Sequence, residues 1–290
     1  MRIAVIGGTG LVGAKLATTL RHRGHEVVVA SRQCGVNTLT GEGLSQAIAG
    51  SRVVIDVTNS PTLDGRSVTD FFGTSSRNLL ATEESARVKH HIVLSIVGTD
   101  RLLNSAYFRA KMLQEDLVRR SPIPHTILRS TQFFDFLRRI PEPHLDGTVV
   151  RVSPAFVQPV AADEVAAAIA DLAQAGPRNG MIEHAGPELF HLDQIVRHIM
   201  VAAGDQRAVI ADSRARYFGA ELSHDSLTPD EGAIIGVTRF DEWLKQHAST
   251  LRTEGLSPTS SLLEGGARGP NFRTRAQRAP GTRNILSLNR

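Results

Sequence analysis

A chain of 290 residues with 41% apolar content can bury a sizeable core, and its single cysteine, Cys34, excludes an internal disulfide framework and points to a reducing cytoplasm. No run of about 18 uninterrupted apolar residues is present, so a spanning helix and a membrane partner are not expected. The net charge of +4 does not signal nucleic acid, because residues 250–290 hold seven arginines against Glu254 and Glu264 and leave the preceding 249 residues at −1.

The chain opens on Ile3-Ala4-Val5-Ile6, an apolar run that predicts a central parallel strand buried on both faces. Gly7-Gly8-Thr9-Gly10-Leu11-Val12-Gly13 follows at once, and an amphipathic run over residues 11–20 predicts a helix behind it. Glycines let the main chain approach a pyrophosphate, and the helix start adds unpaired N–H groups and a positive dipole end. The spacing fits Gly8-x-Gly10-x-x-Gly13 and also Gly7-x-x-Gly10-x-x-Gly13. A glycine-rich turn without a ligand is the plain alternative, but the strand before and the helix after favour a dinucleotide site made by Gly7, Thr9, Gly10, Leu11, Val12 and Gly13. The stretch does not read as a secretory leader, since its apolar run is short and Lys15 and Arg21 stand in place of a cleavage site.

Residues 21–24, Arg-His-Arg-Gly, form a cationic helix end with a glycine stop. Strands are then expected at 26–30, 52–57, 92–97 and 125–128. Helices are expected at 44–49, within 66–88 and at 107–119, the long one turning Val68, Phe71, Phe72, Leu79, Leu80 and Ala86 to the sheet. Such alternation predicts a Rossmann-type, doubly wound parallel α/β sheet with ligands at the carboxyl ends of its strands. The second strand ends Ala30-Ser31-Arg32, with no acidic residue to accept the adenosine ribose hydroxyls. Arg32 offers a planar fork for a 2′-phosphate with the Ser31 hydroxyl beside it, which favours NADP(H) over NAD(H); an arginine merely solvated at a strand end is the alternative.

Tyr107 and Lys111 stand four apart on a helix and share a face. An ammonium there lowers the pKa of the phenol and can bond the nicotinamide ribose, while the phenol donates a proton to a carbonyl oxygen as hydride reaches its carbon. Ser95, at the end of the preceding strand, can hold the same oxygen. With two tyrosines and four lysines in the chain, a chance pair at this spacing is roughly a 3% event. A packed tyrosine beside an exposed lysine remains the alternative.

The second half is less regular. Short strands are expected at 147–152, 155–160, 181–183 and 208–210, and helices at 165–175, 192–202 and 240–246, with Asp163 as an N-cap, Gly176-Pro177 as a stop and Trp243 on an apolar side. These elements suit a small C-terminal α/β lobe. Phe133, Phe134, Phe136 and Phe156 are candidate walls for a flat apolar acceptor, although aromatics more often sit in the core. His144, His184, His191 and His198 show no metal-ligand spacing. The Gly, Pro, Ser and Arg content of 250–290 reads as a disordered basic tail.

The glycine loop, the Tyr107-x-x-x-Lys111 pair and Thr131-Gln132-Phe133-Phe134 after a strand resemble the atypical short-chain dehydrogenase/reductases of the NmrA-like NAD(P)-binding kind, over about residues 1–247. The resemblance implies one unit over 1–249, with a dinucleotide-binding core at 1–140 and a smaller substrate lobe at 141–249 around a cleft. It implies that Thr58 and Asn59 line the cofactor, and that Gln132, Phe133 and Phe134 face a small-molecule substrate. Some relatives reduce quinones and others lack the tyrosine and sense dinucleotides. The unit around residues 33–43 is abbreviated against the family, which makes one edge strand weak. The expected activity is an NADPH-dependent, cytoplasmic oxidoreductase acting on a small carbonyl or quinone-like acceptor. A non-catalytic NADP(H) sensor and an epimerase or dehydratase are the rivals. A homodimer through the helices of 66–88 and 107–119 is one open oligomeric state.

Overall fold

The structure, a computed structural model, describes residues 1–137, 139–140 and 145–255. Its first half alternates as expected: β1 (Arg2–Ile6), α1 (Leu11–His22), β2 (Glu26–Ala30), α2 (Leu44–Ile48), β3 (Val53–Asp56), α3 (Gly65–Ser85), β4 (His90–Ile96), α4 (Ala106–Arg120) and β5 (His125–Ser130). After α5 (Phe134–Leu137) come β6 (Leu145–Asp146), β7 (Val149–Val152), β8 (Phe156–Val157), α6 (Ala162–Ala175) and β9 (Gly180–Ala185). The chain then runs through β10 (Phe190–His191), α7 (Leu192–Ala203), β11 (Ala208–Ala211), β12 (Ile234–Ile235) and α8 (Phe240–Gly255).

Seven of these strands form one sheet in the order β12-β9-β5-β4-β3-β1-β2, and every pairing in it is parallel. Period-two alternation gives the sheet two apolar faces. Ile3 and Val5 pack with α1 and α6, and Ala4 and Ile6 with α2, α3 and the end of α4. The chain leaves β1 toward β2 on one side and resumes at β3 on the other. The carboxyl ends of β1 and β3 therefore flank the switch point where such sheets bind ligands.

The abbreviated unit at 33–43 holds no strand, in line with the expected element order: a 3₁₀ turn (Arg32–Cys34) and a reversal closed by Asn37 and Glu42 lead straight into α2, so β2 is the sheet edge. Two differences from the sequence reading have local causes. Asp163 is not an N-cap. Ala161 takes that position, and Asp163 lies in the first turn of α6, where it pairs with Lys15 of α1 at 2.8 Å. The last helix runs past 246 to Gly255, so residues 250–255 of the expected tail are helical; residues 256–290, and His144, lie outside the described residues.

The second half is shared between two structures. β9, β12 and α6 complete the main sheet and its cover. β6, β7 and β11 form a three-stranded sheet, and β8 pairs with β10. α7 and α8 bring Ile195, Val196, Ile199, Phe240 and Trp243 into an apolar cluster that also takes Phe72, Tyr107 and Phe108 from α3 and α4. Tyr107 thus sits where the small sheet's cover meets the main sheet. Among the described residues no helix is long and apolar enough to cross a membrane.

Candidate active site

β1 hands over to α1 through Gly7, whose φ of 81° is left-handed. Gly13, in the first turn of α1, is the tighter position: a Cβ there would meet the Gly7 carbonyl oxygen at 2.3 Å, so only glycine lets α1 start this close to the strand. Gly10 is the N-cap residue and no side chain caps the helix. Thr9, Gly10 and Leu11 are exposed, and Val12 is buried beneath them. Open N–H groups at a positive helix end, above a floor without side chains, fit a dinucleotide pyrophosphate.

The end of β2 lies against this loop, since the Gly7 and Gly8 N–H groups both donate to the Ala30 carbonyl, at 2.8 and 3.2 Å. Ser31 and Arg32 follow. The Ser31 hydroxyl contacts Cys34 Sγ at 3.5 Å, and the exposed Arg32 has no hydrogen bond or ion pair to its guanidinium among the described residues. A free guanidinium with no carboxylate beside it suits a 2′-phosphate.

Across the switch point, buried Asp56 accepts the Thr58 N–H at 2.9 Å and its hydroxyl at 2.6 Å. This turn draws the Thr58 hydroxyl inward and leaves its main chain beside Gly7. Asn59 Oδ1 accepts the Ser60 N–H at 2.9 Å and the Tyr107 phenol at 3.0 Å. The structure therefore brings Asn59 and Tyr107 together, a contact the spacing did not reveal. Burial pushes the Tyr107 pKa up, with the Asn59 hydrogen bond opposing it.

Lys111 behaves differently from the expectation. Its Nζ donates to the Leu94 carbonyl at 2.8 Å and to Gln114 Oε1, and lies 4.7 Å from the centre of the Phe72 ring. Gln114 in turn donates to Asp56 Oδ2 at 2.9 Å. Burial lowers the Lys111 pKa to about 8, while Asp56 and Glu115 oppose the shift. The ammonium is engaged by main chain and Gln114, so the expected lowering of the phenol pKa is replaced by a rise. Ser95 is a second correction. Its hydroxyl donates to Glu115, which also receives Arg129 at 3.0 and 2.9 Å and Arg119 at 2.7 Å. Ser95 thus serves an ion-pair network joining β4, β5 and α4, its hydroxyl committed to Glu115 while the phenol is committed to Asn59.

The expected pocket residues divide as well. Gln132 is buried beside Tyr217. Phe134 is core, with ring centres 5.6 Å from Phe240 and 5.3 Å from Trp243. Half-buried Phe133 bridges to Val160 and packs with the α1 and α6 cluster, and Phe156 stacks on His224 at 4.8 Å. The walls around Tyr107 come instead from Phe72, Phe108 and Phe218, with Phe136 stacked on Phe218. Phe218 lies in an irregular stretch whose sole signal was an aromatic residue before a glycine.

A family model described as NAD(P)H-binding matches residues 7–175, more than half of the chain. The Photosystem II assembly factor Ycf39 of Cyanophora paradoxa is 25% identical over 151 residues, and the match spans 47% of each chain, so this chain covers about half the length of that relative. The Bordetella bronchiseptica enzyme WbmH, solved in complex with NAD+, is similar at a TM-score of 0.65 and 15% identity, covering 88% of this chain and 99% of that one. An NADPH-dependent quinone oxidoreductase from Escherichia coli is similar at a TM-score of 0.57 and 16% identity, covering 84% of this chain and 98% of that one. At such identities the structural likeness is one of fold. The match from Gly7 onward agrees with what the glycine floor and the open helix start can hold, and the chain belongs to the NAD(P)H-binding family, on a Rossmann-like parallel α/β sheet.

Proposed function

We propose that this chain is an NADPH-dependent oxidoreductase that reduces a small carbonyl or quinone-like acceptor. The observation that carries the reading is the 3.0 Å hydrogen bond from Tyr107 to Asn59, which stations a phenol at the crevice floored by the glycine loop. Gly7, Thr9, Gly10, Leu11, Val12 and Gly13 hold the pyrophosphate, Ser31 and Arg32 the 2′-phosphate, and Thr58 and Asn59 line the path between. Lys111 reaches the nicotinamide ribose on leaving the Leu94 carbonyl. The reduced cofactor supplies a hydride when bound. Tyr107 carries its proton at neutral pH as any phenol does, held the more firmly by burial, and its O–H turns from Asn59 Oδ1 to the acceptor when that binds. The proton passes from Tyr107 Oη to the acceptor oxygen, so hydride and proton together convert C=O to C–OH, and solvent reprotonates the phenol. The single cysteine fits work in a reducing cytoplasm.

Tyr107→Phe tests the reading. The rate of NADPH oxidation with a carbonyl acceptor should fall about a hundredfold or more, with NADPH affinity unchanged. A specific observation favours a second reading, a dinucleotide sensor: Tyr107 is closed in by aromatic rings and the Lys111 ammonium is turned to main chain. A sensor would be indifferent to Tyr107→Phe.

A further inference from the structure

Residues 217–220 close a tight turn, in which the Tyr217 N–H donates to the Ala220 carbonyl at 2.8 Å and the Ala220 N–H to the Tyr217 carbonyl at 3.0 Å. Both central residues are left-handed, Phe218 at φ 49° and Gly219 at φ 83°. Those are the φ signs of a type I′ turn, whose first central position favours Asn, Asp or Gly. A phenylalanine there carries the steric cost of its Cβ against the main chain. Among the described residues the other two non-glycine residues with positive φ, Arg87 and Asn179, are exposed polar residues at element ends, whereas Phe218 turns a half-buried ring inward.

Ring contacts hold it in that conformation. Phe218 lies 5.2 Å from Tyr107 at an interplanar angle of 25°, and 5.8 Å from Phe136 at 19°. It meets Phe108 edge-on at 6.3 Å. Tyr107 is further enclosed by Phe72 at 6.2 Å and by Phe108 at 5.7 Å, both edge-on. Phe72 and Phe108 are fully buried on long helices and cannot yield. Phe218 comes from a turn whose tip, Gly219, is exposed, while buried Tyr217 and Ala220 anchor its base. The face of Tyr107 that can open is the one Phe218 covers. Backbone strain and ring stacking act there with opposite sign and comparable size.

We infer that Phe218 is the residue that selects the acceptor: its ring stands where a planar conjugated acceptor ring stacks on Tyr107, and the 217–220 turn releases it when that acceptor binds. The inference rests on the oxidoreductase reading and narrows it from carbonyls in general to flat ring acceptors. A ring that takes the place of Phe218 keeps the contacts to Tyr107 and Phe136 and relieves the left-handed strain. An aliphatic carbonyl replaces none of the stacking and finds the site closed.

Phe218→Asn tests this, because asparagine suits the turn and removes the ring. Full-length protein without cofactor is titrated calorimetrically with 1,4-naphthoquinone, and NADPH is titrated in parallel. The variant should bind the quinone about tenfold more tightly than wild type, and one further tyrosine should become titratable in the ultraviolet. Equal or weaker quinone binding would mark Phe218 as a fixed wall and overturn the inference. Phe136→Leu, outside the turn, should weaken quinone binding about tenfold, and unchanged binding would also overturn it. If NADPH binds while Phe218→Asn leaves quinone affinity unmoved, the selection by Phe218 fails and the oxidoreductase reading stands. If NADPH binds no form, that reading fails and the narrowing falls with it.

Discussion

Gly13 shows how a single absent methyl group sets up the site. A Cβ 2.3 Å from the Gly7 carbonyl oxygen cannot be absorbed by a side-chain rotation, since the obstacle is main chain. Gly13→Ala should push α1 away from β1, cost about 1–3 kcal/mol in thermal unfolding and abolish measurable NADPH binding by fluorescence titration. An unshifted melting curve would contradict the packing argument. This residue was legible in the sequence because glycine spacing is local and the constraint acts within one strand, turn and helix. Ser95 was not, because its partner Glu115 lies twenty residues on and is brought to it by the register of α4 on the sheet. Phe218 was not, because nothing periodic surrounds it and its strain depends on rings supplied by α4 and by residue 136.

α4 carries its buried polar groups on one stripe, Tyr107, Lys111, Gln114 and Glu115. Tyr107 meets Asn59 just past the end of β3, Lys111 and Gln114 meet Leu94 and Asp56, and Glu115 meets Ser95 and Arg129 near the ends of β4 and β5. These further contacts tie α4 to the sheet and so fix where the phenol stands. Arg129 is buried and held by Glu115 through two nitrogens and by half-exposed Asp100 through the third at 2.9 Å, so removing Glu115 leaves most of a buried charge unmatched. Glu115→Ala should therefore lower stability by about 3–5 kcal/mol in urea unfolding, and a loss below about 1 kcal/mol would show that the network carries little. Element positions in the first half were legible, since βαβ alternation and buried apolar runs are strong signals. The start of α6 was not, because placing Ala161 at the N-cap turns on main-chain geometry that residue type does not announce.

At the scale of the whole molecule the buried Lys111 makes stability depend on alkaline pH. Its pKa falls from the ordinary 10.5 to about 8 on folding, so between those values the unfolded chain binds more protons and stability rises with pH. Tyr107 and Tyr217, both raised by burial, reverse the trend above about pH 10. Denaturant unfolding should show stability rising from about pH 8 to 10 at up to about 1.4 kcal/mol per pH unit. The rise should vanish in Lys111→Met, and a flat wild-type profile would contradict the burial of a chargeable Lys111. The proposed function requires a dinucleotide seated from the glycine loop to Arg32, with a 2′-phosphate read by the Arg32 guanidinium. The most direct measurement is a titration of the purified protein with NADPH and with NADH, followed by cofactor fluorescence and repeated on Arg32→Ala. The account predicts tighter binding of NADPH than of NADH, with the difference lost in Arg32→Ala and NADH affinity kept. Failure of both nucleotides to bind, or a preference that Arg32→Ala leaves intact, would contradict it.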